Sequence, residues 1–284
     1  MTTKRLGIFG YPLHHSLSPL FQQAALDAMG IDAKFEGWPT PPEKFAEAVE
    51  GLRADDYLGC CITQPHKEAA LELVDELDPA AEAIGAVNTI VNTNGRLKGY
   101  NTDAPGFIRG LRESTGLEPE GKSALVLGAG GAARGIVYAL REAGVTRMAI
   151  ANRTEERAQV LANDMSRARF RPDAMSLNVD KLANVAPYAD LIVNATSMGM
   201  RDGSAMKESP IPPELISGNS VCYDAVYVPP MTPFLEAAED AGATIAGGLS
   251  MLIYQGAEGF KLWTGQDAPV DVMFDSIPPT MRSV

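Results

Sequence analysis

The sequence predicts an α/β protein of two domains, and three observations support that prediction. Short apolar runs alternate with helical patterns along the chain, an order that builds a mainly parallel sheet. A glycine-rich turn stands between an apolar run and a helix near residue 128. The chain has 284 residues, 45% of them hydrophobic and 21% charged, which suffices for one large or two ordinary domains with proper cores.

The first half of the chain predicts three strands that alternate with three helices, followed by a hairpin. The strands are LGIFG, AKFEGWP and YLGCCIT, and the helices are SPLFQQAALDAM, EKFAEAVEGLR and HKEAALELVDEL. Ser18 is expected to cap the first helix, with Pro19 in its first turn. The stretch AVNTIVNTNGRLKGYNTD is expected to form two strands around an Asn-Gly turn.

A second unit is expected to begin near residue 105, a boundary inferred from the order of the motifs. Its first segment, SALVLGAGGAARGIVYALREAGVTRMAIANRT, predicts a strand, a glycine turn, a helix and a strand. Further strands are expected in DLIVNATSMGM and VCYDAVYVPP, and further helices in TPFLEAAEDAG and SMLIYQGAEGFKLWTG.

Charge and composition exclude several classes of partner. The net charge of −12 argues against a nucleic-acid surface, because phosphate binding needs clustered Lys and Arg. It leaves room for an anionic small molecule in a local positive pocket. No run approaches the roughly 18 apolar residues of a membrane span, and the N-terminus lacks the apolar stretch of a signal peptide. Three cysteines cannot form a disulfide framework, so a cytoplasmic location is expected.

The stretch GCCITQPHKE at 59–68 raises the question of a metal site or a redox pair. Zinc ligands usually come as C-x2-C or H-x3-H, and neither spacing occurs here. In a strand, Cys60 and Cys61 would point to opposite faces of the sheet. We therefore expect no metal, and we expect Cys60 to be a small buried residue. His14, His15 and His66 have no evident catalytic partner.

The glycine turn fits the G-x-G-x-x-G/A fingerprint of dinucleotide-binding proteins in its Ala-ending form. Its glycines let the backbone approach a pyrophosphate, which binds at the N-terminus of the following helix. Glycine-rich turns between strands and helices also occur for packing reasons. The flanking strands favour nucleotide binding by Gly128, Ala129, Gly130, Gly131 and Ala132.

The end of the next strand predicts which dinucleotide is bound. An Asp or Glu there would hold the 2′-hydroxyl of NAD, but the chain has Asn152, Arg153 and Thr154, with Arg157 one turn further on. Two guanidinium groups suit the 2′-phosphate of NADP. The alternative is a pair of surface arginines balanced by the neighbouring glutamates. The position at a strand end favours NADP.

Hydride transfer to a carbonyl leaves an alkoxide that needs a proton, so a proton donor is expected near the nicotinamide. Lys67 is a candidate, because a cation in the first turn of its predicted helix is disfavoured by the helix dipole. Asp103 could pair with Lys67 and bind a substrate hydroxyl, or it could simply cap a helix. Ser16 and Ser18 could bind a carboxylate, although capping explains Ser18 equally well.

Taken together, the motifs resemble those of the shikimate dehydrogenase family over nearly the whole chain. The motifs are GYPLHHSLSP, CITQPHKE, GAVNTI, GYNTDAPGF, LGAGGAARG, NRT, NATSMGM, YDAVYVPPMTPFL and GLSMLIYQGAEGFKLWTG. The resemblance implies an N-terminal α/β substrate domain, a Rossmann-like NADP domain and a C-terminal helix that returns to the first domain. The implied boundaries are 1–103 with 247–284, and 104–246. The implied reaction is the reversible NADPH-dependent reduction of 3-dehydroshikimate to shikimate, by a monomer or a homodimer.

The resemblance also assigns roles to residues at matching positions. Lys67 and Asp103 are the implied catalytic pair, and Ser16 and Ser18 would hold the carboxylate of the substrate. The residues that would face the ring hydroxyls are Thr63, Asn88, Tyr227 and Gln255. Beyond the glycine turn and the arginine-bearing strand end, the implied cofactor-binding residues are Thr196, Ser197, Met198, Gly248 and Met251.

Three motifs depart from the family pattern and affect the expected substrate. Cys61 stands where the family usually has Asn, Gln22 and Gln23 stand where it usually has His-Asn, and Ser250 stands where Gly is common. A divergent relative acting on quinate or a related hydroxy acid is one alternative. A non-catalytic NADPH-binding sensor is another, although the presence of both Lys67 and Asp103 argues against it.

Overall fold

The computed structural model describes residues 3–13, 16–201 and 203–282, so His14 and His15 lie outside the described residues. Contacts divide the chain into two compact units, Met1–Gly106 with Ile253–Pro278, and Phe107–Leu252 with Pro279–Val284. Within the described residues, each unit is built on one six-stranded sheet. The predicted α/β class is confirmed.

The first unit contains alternating strands and helices up to residue 84, and then a hairpin. The elements are β1 (Lys4–Gly10), α1 (Ser18–Ala28), β2 (Ala33–Pro39), α2 (Phe45–Gly51), β3 (Gly59–Ile62), β4 (Glu76–Leu77), α3 (Pro79–Ile84), β5 (Thr89–Thr93), β6 (Arg96–Tyr100) and the beginning of α4 (Asp103–Thr115). The predicted turn between β5 and β6 is confirmed, since Asn94 and Gly95 both have positive φ angles of 54° and 86°.

The sheet of the first unit is mixed, in the order β2-β1-β3-β5-β6-β4. Strands β2, β1 and β3 are parallel, whereas β5 is antiparallel to both β3 and β6. The short hairpin imposes the antiparallel pairing of β5 with β6, because a two-residue turn cannot connect parallel strands. As a result, the carboxyl ends of β1, β3 and β6 and the amino end of β5 lie at the same edge of the sheet.

The helix predicted over HKEAALELVDEL is wrong. The structure has a single 3₁₀ turn at Ala69–Glu72, followed by β4. The backbone N–H groups of Asp75 and Asp78 donate to the carbonyls of Leu97 and Gly99 on β6. Pairing with a neighbouring strand has therefore replaced the hydrogen bonds that a helix would have made, and tertiary structure overrides local propensity.

The capping role predicted for Ser18 is also wrong. The N-cap position of α1 is Leu17, and Ser18 is already helical and almost fully buried. Its backbone N–H donates to the hydroxyl of Ser16 at 3.3 Å. Ser16, two residues earlier, therefore satisfies a donor at the start of this helix.

The second unit is built on a wholly parallel sheet in the order β12-β11-β10-β7-β8-β9. Its elements are β7 (Ser123–Leu127), α5 (Gly131–Glu142), β8 (Arg147–Asn152), α6 (Glu155–Met165), β9 (Asp173–Ser176), α7 (Val179–Leu182), β10 (Leu191–Asn194), β11 (Val221–Asp224), α8 (Pro233–Asp240) and β12 (Thr244–Ala246). The strand order reverses between β7 and β10. In open α/β sheets, ligands bind at the carboxyl ends of the strands beside such a reversal.

The chain ends with α9 (Leu249–Thr264) and α10 (Val270–Ser276), and residues from Ile253 to Pro278 belong to the first unit. The indole N–H of Trp263 on α9 donates to the carbonyl of Ile90 on β5 at 2.9 Å. This contact confirms the expected return of the C-terminal helix to the first domain.

Among the described residues, no helix combines the length and low polarity that crossing a membrane requires.

Candidate active site

The first cluster of polar side chains lies at the edge of the first sheet where β3 and β6 end and β5 begins. Lys67 follows β3, Asp103 follows β6, and Asn88 directly precedes β5. Because β5 runs antiparallel to its two neighbours, these three segments converge at one edge. The sheet topology therefore brings together residues that are far apart in sequence.

Lys67 and Asp103 form an ion pair in which Nζ and Oδ2 lie 2.5 Å apart. Their side chains are only 16% and 5% exposed, so water screens the pair weakly. Lys67 lies in a turn that precedes the 3₁₀ segment, and no α-helix begins there. The helix-dipole argument for this lysine is therefore wrong. The Asp103 carboxylate, and no helix, is therefore the partner of this ammonium group.

Asn88 orients that carboxylate from the other side. Its side-chain Nδ2 donates to Asp103 Oδ1 at 2.8 Å, while its Oδ1 accepts the backbone N–H of Thr102 at 2.7 Å. The Asp103 backbone N–H donates to Asn101 Oδ1 at 3.1 Å. Each oxygen of Asp103 thus has its own partner, which fixes the plane of the carboxylate.

Asn101 and Thr102 were not predicted as site residues from the sequence. Both are buried, and their side chains bond to groups on the segment before β5. The available signal was the run of polar residues NTD directly after a strand, because buried polar groups at a strand end need specific partners.

Gln255, on α9, joins the same network. Its Oε1 lies 3.3 Å from Asn88 Nδ2 and 3.4 Å from Thr102 Oγ1. This close approach depends on Gly106, since a Cβ atom there would lie 2.5 Å from the Gln255 backbone nitrogen. The structure therefore brings four predicted site residues into one hydrogen-bonded cluster, Lys67, Asp103, Asn88 and Gln255.

Ser16, Ser18 and Thr63 lie near the same edge of the sheet, outside this cluster. Ser16 and Ser18 follow β1, and Thr63 is the first residue after β3. The backbone N–H of Thr63 donates to the carbonyl of Phe9 at 2.9 Å, and the residue is half-buried. These hydroxyl groups add neutral hydrogen-bonding capacity to an edge that already carries a charged pair.

Of the two cysteines on β3, only Cys61 lies near the charged pair. Burial raises the pKa of its thiol to about 12, with smaller opposing effects from the Lys67 ammonium, which lowers it, and the Asp103 carboxylate, which raises it. Cys60 packs in the apolar core, and burial raises the pKa of its thiol well above the usual value. Both cysteines are therefore neutral thiols and poor nucleophiles.

His66, the histidine of the GCCITQPHKE stretch, is a packing residue. Its ring stacks on Phe45 at 4.1 Å, and Nε2 lies 2.7 Å from the carbonyl oxygen of Thr40. Within residues 3–13, 16–201 and 203–282, no group of three or more His, Cys, Asp or Glu side chains is placed to hold a metal ion.

The remaining departures from the family pattern make structural contacts. Gln23 Oε1 accepts the Phe35 backbone N–H at 2.8 Å, and Gln22 Nε2 donates to the Gly256 carbonyl at 2.8 Å. In the second unit, the Ser250 hydroxyl lies 3.0 Å from the hydroxyl of Tyr223. Gln22, Gln23 and Ser250 therefore each bond to the protein itself. Cys61 is the departure that lies beside the charged pair.

The glycine turn of the second unit has the features of an anion site. Gly128 has a φ of +119°, which favours glycine, and a Cβ at Gly130 would meet no atom within 4 Å. Gly130 is the N-cap of α5 and provides no side-chain bond to the first helical N–H groups. These groups around Gly131 and Ala132 can therefore bind a phosphate, so the turn fits a dinucleotide.

Arg153 and Arg157 are exposed just beyond the carboxyl end of β8, and Thr154 is the N-cap of α6. Asn152 Nδ2 donates to the Thr154 carbonyl at 2.8 Å and holds this turn. Glu155, one expected counter-charge for the arginines, instead pairs with Lys181 at 2.7 Å, and that lysine lowers the pKa of Glu155. Two guanidinium groups at the end of a strand suit the 2′-phosphate of a dinucleotide.

The other predicted cofactor residues follow β10 and β12. Thr196 Oγ1 donates to Asn194 Oδ1 at 2.7 Å and accepts the Met198 N–H at 3.1 Å, while Ser197 between them is exposed. A Cβ at Gly128 would lie 2.8 Å from the carbonyl oxygen of Ala195, so the loop after β10 packs directly on the glycine turn.

Gly248 and Tyr227 lie at the same edge of the second sheet. A Cβ at Gly248 would collide with the Ala225 carbonyl oxygen, so this close approach requires glycine. Met251, three residues on, is buried. Burial raises the pKa of Tyr227 to about 12, so its hydroxyl stays protonated and can donate a hydrogen bond.

Comparisons with known proteins agree with this arrangement. Family models match three stretches of the chain: a shikimate dehydrogenase substrate binding domain at residues 8–90, a shikimate/quinate 5-dehydrogenase at 112–201, and a shikimate 5′-dehydrogenase C-terminal domain at 248–273. The chain is 42% identical over 282 residues to a shikimate dehydrogenase (NADP(+)) of Methanopyrus kandleri, covering 99% of this chain and 97% of that one.

Two further proteins show the same likeness. A shikimate dehydrogenase (NADP(+)) of Moorella thermoacetica is 44% identical over 273 residues, which cover 96% of this chain and 92% of that one. The crystal structure of shikimate 5-dehydrogenase from Thermus thermophilus in complex with NADP(H) and shikimate matches with a TM-score of 0.85 and 41% identity. That match covers 96% of this chain and 98% of the other.

Proposed function

Because this chain belongs to the shikimate dehydrogenase family, we propose that it is an NADP-dependent oxidoreductase that interconverts 3-dehydroshikimate and shikimate. The observation that carries the proposal is the ion pair of Lys67 and Asp103, held in place by Asn88. A chain that only bound the cofactor would have no need for an ion-paired proton donor.

In the proposed mechanism, Lys67 provides the proton for the reduction. NADPH, when bound, supplies the hydride that reduces the carbonyl carbon of the substrate. The carbonyl oxygen gains negative charge, and the Lys67 ammonium group donates a proton to it, which yields the hydroxyl group. Asp103 holds the ammonium group in position and accepts a hydrogen bond from a neighbouring hydroxyl. In the oxidation direction, neutral Lys67 takes the proton back.

The substrate carboxylate and ring hydroxyls are proposed to bind polar side chains of this chain. Ser16 and Ser18 would donate hydrogen bonds to the carboxylate, and the residues that would contact ring hydroxyls are Thr63, Asn88, Gln255 and Tyr227. Asn and Gln side chains both donate and accept, which suits hydroxyl groups.

The two parts of the chain would divide the work. Residues 1–103 with 247–284 would form the substrate-binding catalytic domain, and residues 104–246 would bind NADP. The glycine turn would hold the pyrophosphate, and Arg153 and Arg157 would hold the 2′-phosphate. The exposed guanidinium groups and the uncapped start of α5 support this assignment.

An absorbance assay tests the proposal directly. Purified protein is mixed with NADPH and 3-dehydroshikimate, and loss of the reduced-nicotinamide band is followed. We expect turnover with 3-dehydroshikimate and, in reverse, with shikimate and NADP. Quinate serves as the competing substrate. If the protein binds NADPH but turns over neither acid, the proposed dehydrogenase activity is refuted, and a cofactor-binding sensor is the alternative that stands.

A further inference from the structure

Asp224, the last residue of β11, is a buried carboxyl group that the proposed mechanism does not use. It is 0% exposed, and none of the ion pairs among the described residues includes it. Burial without a cation raises the pKa of Asp224 to about 7, against the opposing effect of its hydrogen bonds. Burying a charged carboxylate costs free energy unless hydrogen bonds compensate for the lost water. The hydrogen-bond partners of Asp224 therefore indicate its role.

Three donors from different segments converge on Asp224. Its Oδ1 accepts the side-chain Nδ2 of Asn194 at 2.9 Å and the backbone N–H of Val226 at 2.9 Å. Its Oδ2 accepts the hydroxyl of Thr232 at 2.6 Å. One carboxyl group therefore connects the end of β10, the loop after β11 and the N-cap of α8.

The bond to Asn194 continues into the loop that carries predicted cofactor residues. Asn194 Oδ1 accepts both the backbone N–H of Thr196, at 3.0 Å, and its hydroxyl, at 2.7 Å. Asn194 Nδ2 also lies 3.2 Å from the carbonyl oxygen of Met198. Asp224 fixes which way this amide faces, and the amide in turn holds the backbone of Thr196–Met198.

The bond to Val226 acts on the segment that carries Tyr227. It fixes the first turn of the chain beyond β11, whose Ala225 carbonyl is also the group that Gly248 approaches. The bond to Thr232 serves a different purpose, because the Thr232 hydroxyl also accepts the Leu235 N–H and caps α8. Oδ1 thus holds the two ligand-binding loops, whereas Oδ2 stabilises a helix.

We propose that Asp224 is a positioning residue for the cofactor, acting through Asn194 on the loop Thr196–Met198 and through the Val226 N–H on the loop that carries Tyr227. The inference rests on the proposed function only in taking NADP as the ligand of the second unit. An apolar side chain could fill the same space, but it could not hold both loops at once.

Four variants distinguish the role of the bonds to Asp224 Oδ1 from that of the bond to Oδ2. Asp224→Ala removes all three bonds, and Asn194→Ala removes the link to Thr196. Asp224→Asn keeps an oxygen that accepts from Asn194 and Val226, and Thr232→Val removes only the bond to Oδ2. The Kd for NADPH is measured by fluorescence titration without substrate, well below the Tm of every variant. This readout is independent of whether 3-dehydroshikimate is the substrate.

Asp224→Ala and Asn194→Ala should each raise the Kd for NADPH by about tenfold, the usual effect of losing a buried hydrogen bond or two. Asp224→Asn should restore the Kd to within about threefold of wild type. Thr232→Val should lower Tm and leave the Kd unchanged. Wild-type Kd values for both alanine variants would overturn the inference. A Kd for Thr232→Val as high as that of Asp224→Ala would also overturn it, because loss of stability alone would then explain the effect.

If Asp224→Ala does not fold, Asn194→Ala decides the question alone. Wild-type NADPH binding by that variant would refute the link between the network and the cofactor loop. A higher Kd for NADPH, with kcat reduced less than tenfold, would support that link.

Discussion

Lys67 Nζ and Asp103 Oδ2 lie 2.5 Å apart, although 36 positions separate the two residues in sequence. The contact exists because β3 and β6 end at the same edge of the first sheet, with β5 between them. Asn88, directly before β5, bonds the second oxygen of the same carboxylate. The proton donor proposed here is therefore a product of strand order.

Replacing Lys67 should affect the chemical step more than substrate binding. Lys67→Ala should lower kcat by about 10²–10⁴-fold, the usual contribution of a general acid or base. Steady-state rates give kcat, and calorimetry gives the Kd for shikimate. Lys44→Ala, an exposed lysine of the same unit, is the control and should match wild type. A loss of less than tenfold in Lys67→Ala would make this lysine a bystander.

Replacing Arg153 should weaken NADPH far more than NADH, since only NADPH carries the 2′-phosphate. Loss of a charge-assisted hydrogen bond is worth about 1.5–3 kcal/mol, or roughly 10–100-fold in kcat/KM with NADPH. The control is Arg147→Ala, which removes an exposed arginine from the opposite end of β8. Equal losses with the two cofactors, or a wild-type preference for NADH, would contradict the assignment.

Cys61→Asn should improve turnover of shikimate, because Asn both donates and accepts hydrogen bonds beside the charged pair, whereas a thiol does so poorly. A gain of about 0.5–1.5 kcal/mol corresponds to a few-fold to roughly tenfold in kcat/KM. The wild type should oxidise quinate more slowly than shikimate. The matched control is Cys60→Asn, which places an amide in the apolar core and should lower stability without raising activity.

If kcat/KM for shikimate falls or stays unchanged in Cys61→Asn, the Cys61 thiol does not lower the catalytic efficiency of this site. Faster oxidation of quinate than of shikimate by the wild type would assign the chain to a different substrate within the same reaction class.

Asp224 should make stability depend on pH in a definite direction. Its pKa is about 7 in the folded protein, against about 3.9 in an unfolded chain, so the folded state holds an extra proton between these values. The contribution of Asp224 to the free energy of unfolding is thus fully present below about pH 4 and is lost as pH rises to about 7. Urea denaturation at several pH values gives the free energy of unfolding of wild type and of Asp224→Asn. The free energy of wild type relative to the variant should fall between about pH 4 and about pH 7. A relative free energy that rises over this range would show that the hydrogen bonds outweigh burial.

Gly106→Ala should disturb the approach of α4 to Gln255, since the added Cβ would lie 2.5 Å from a backbone nitrogen. Backbone cannot move aside cheaply, so Tm should fall, and kcat should fall with it because Gln255 contacts Asn88. The control is Gly51→Ala on α2, where a Cβ meets nothing within 4 Å and Tm should hold or rise. Equal Tm values for the two variants would contradict the argument.

Local features of the sequence determined most of the elements. The Asn-Gly pair specified the hairpin between β5 and β6, because both residues adopt positive φ. The glycine turn marked the junction of β7 and α5, and apolar runs marked the buried strands. Such features depend on neighbours in sequence, so they can be found without knowing the fold.

Two predictions of secondary structure failed where distant contacts compete with local preference, and the helix-dipole argument for Lys67 failed with the first of them. HKEAALELVDEL has a helical pattern, but the backbone N–H groups of Asp75 and Asp78 donate hydrogen bonds to carbonyl groups of β6 instead. Ser18 is a good capping residue by type, but α1 begins one residue earlier and buries it. In both cases the deciding partner lies outside the window that a local pattern covers.

The sequence by itself determined the chemical inventory of this protein: a lysine and an aspartate in recognisable motifs, a glycine turn, and two arginines after a strand. Only the tertiary structure decided which of these groups meet. Three sets of contacts join segments that strand order and register bring together. They are the bond from Asn88 to Asp103, the bonds of Asn101 and Thr102 to the segment before β5, and the network of Asp224 with Asn194. Side-chain contacts between distant segments follow from backbone pairing across a whole sheet, and no local pattern of residues contains that information.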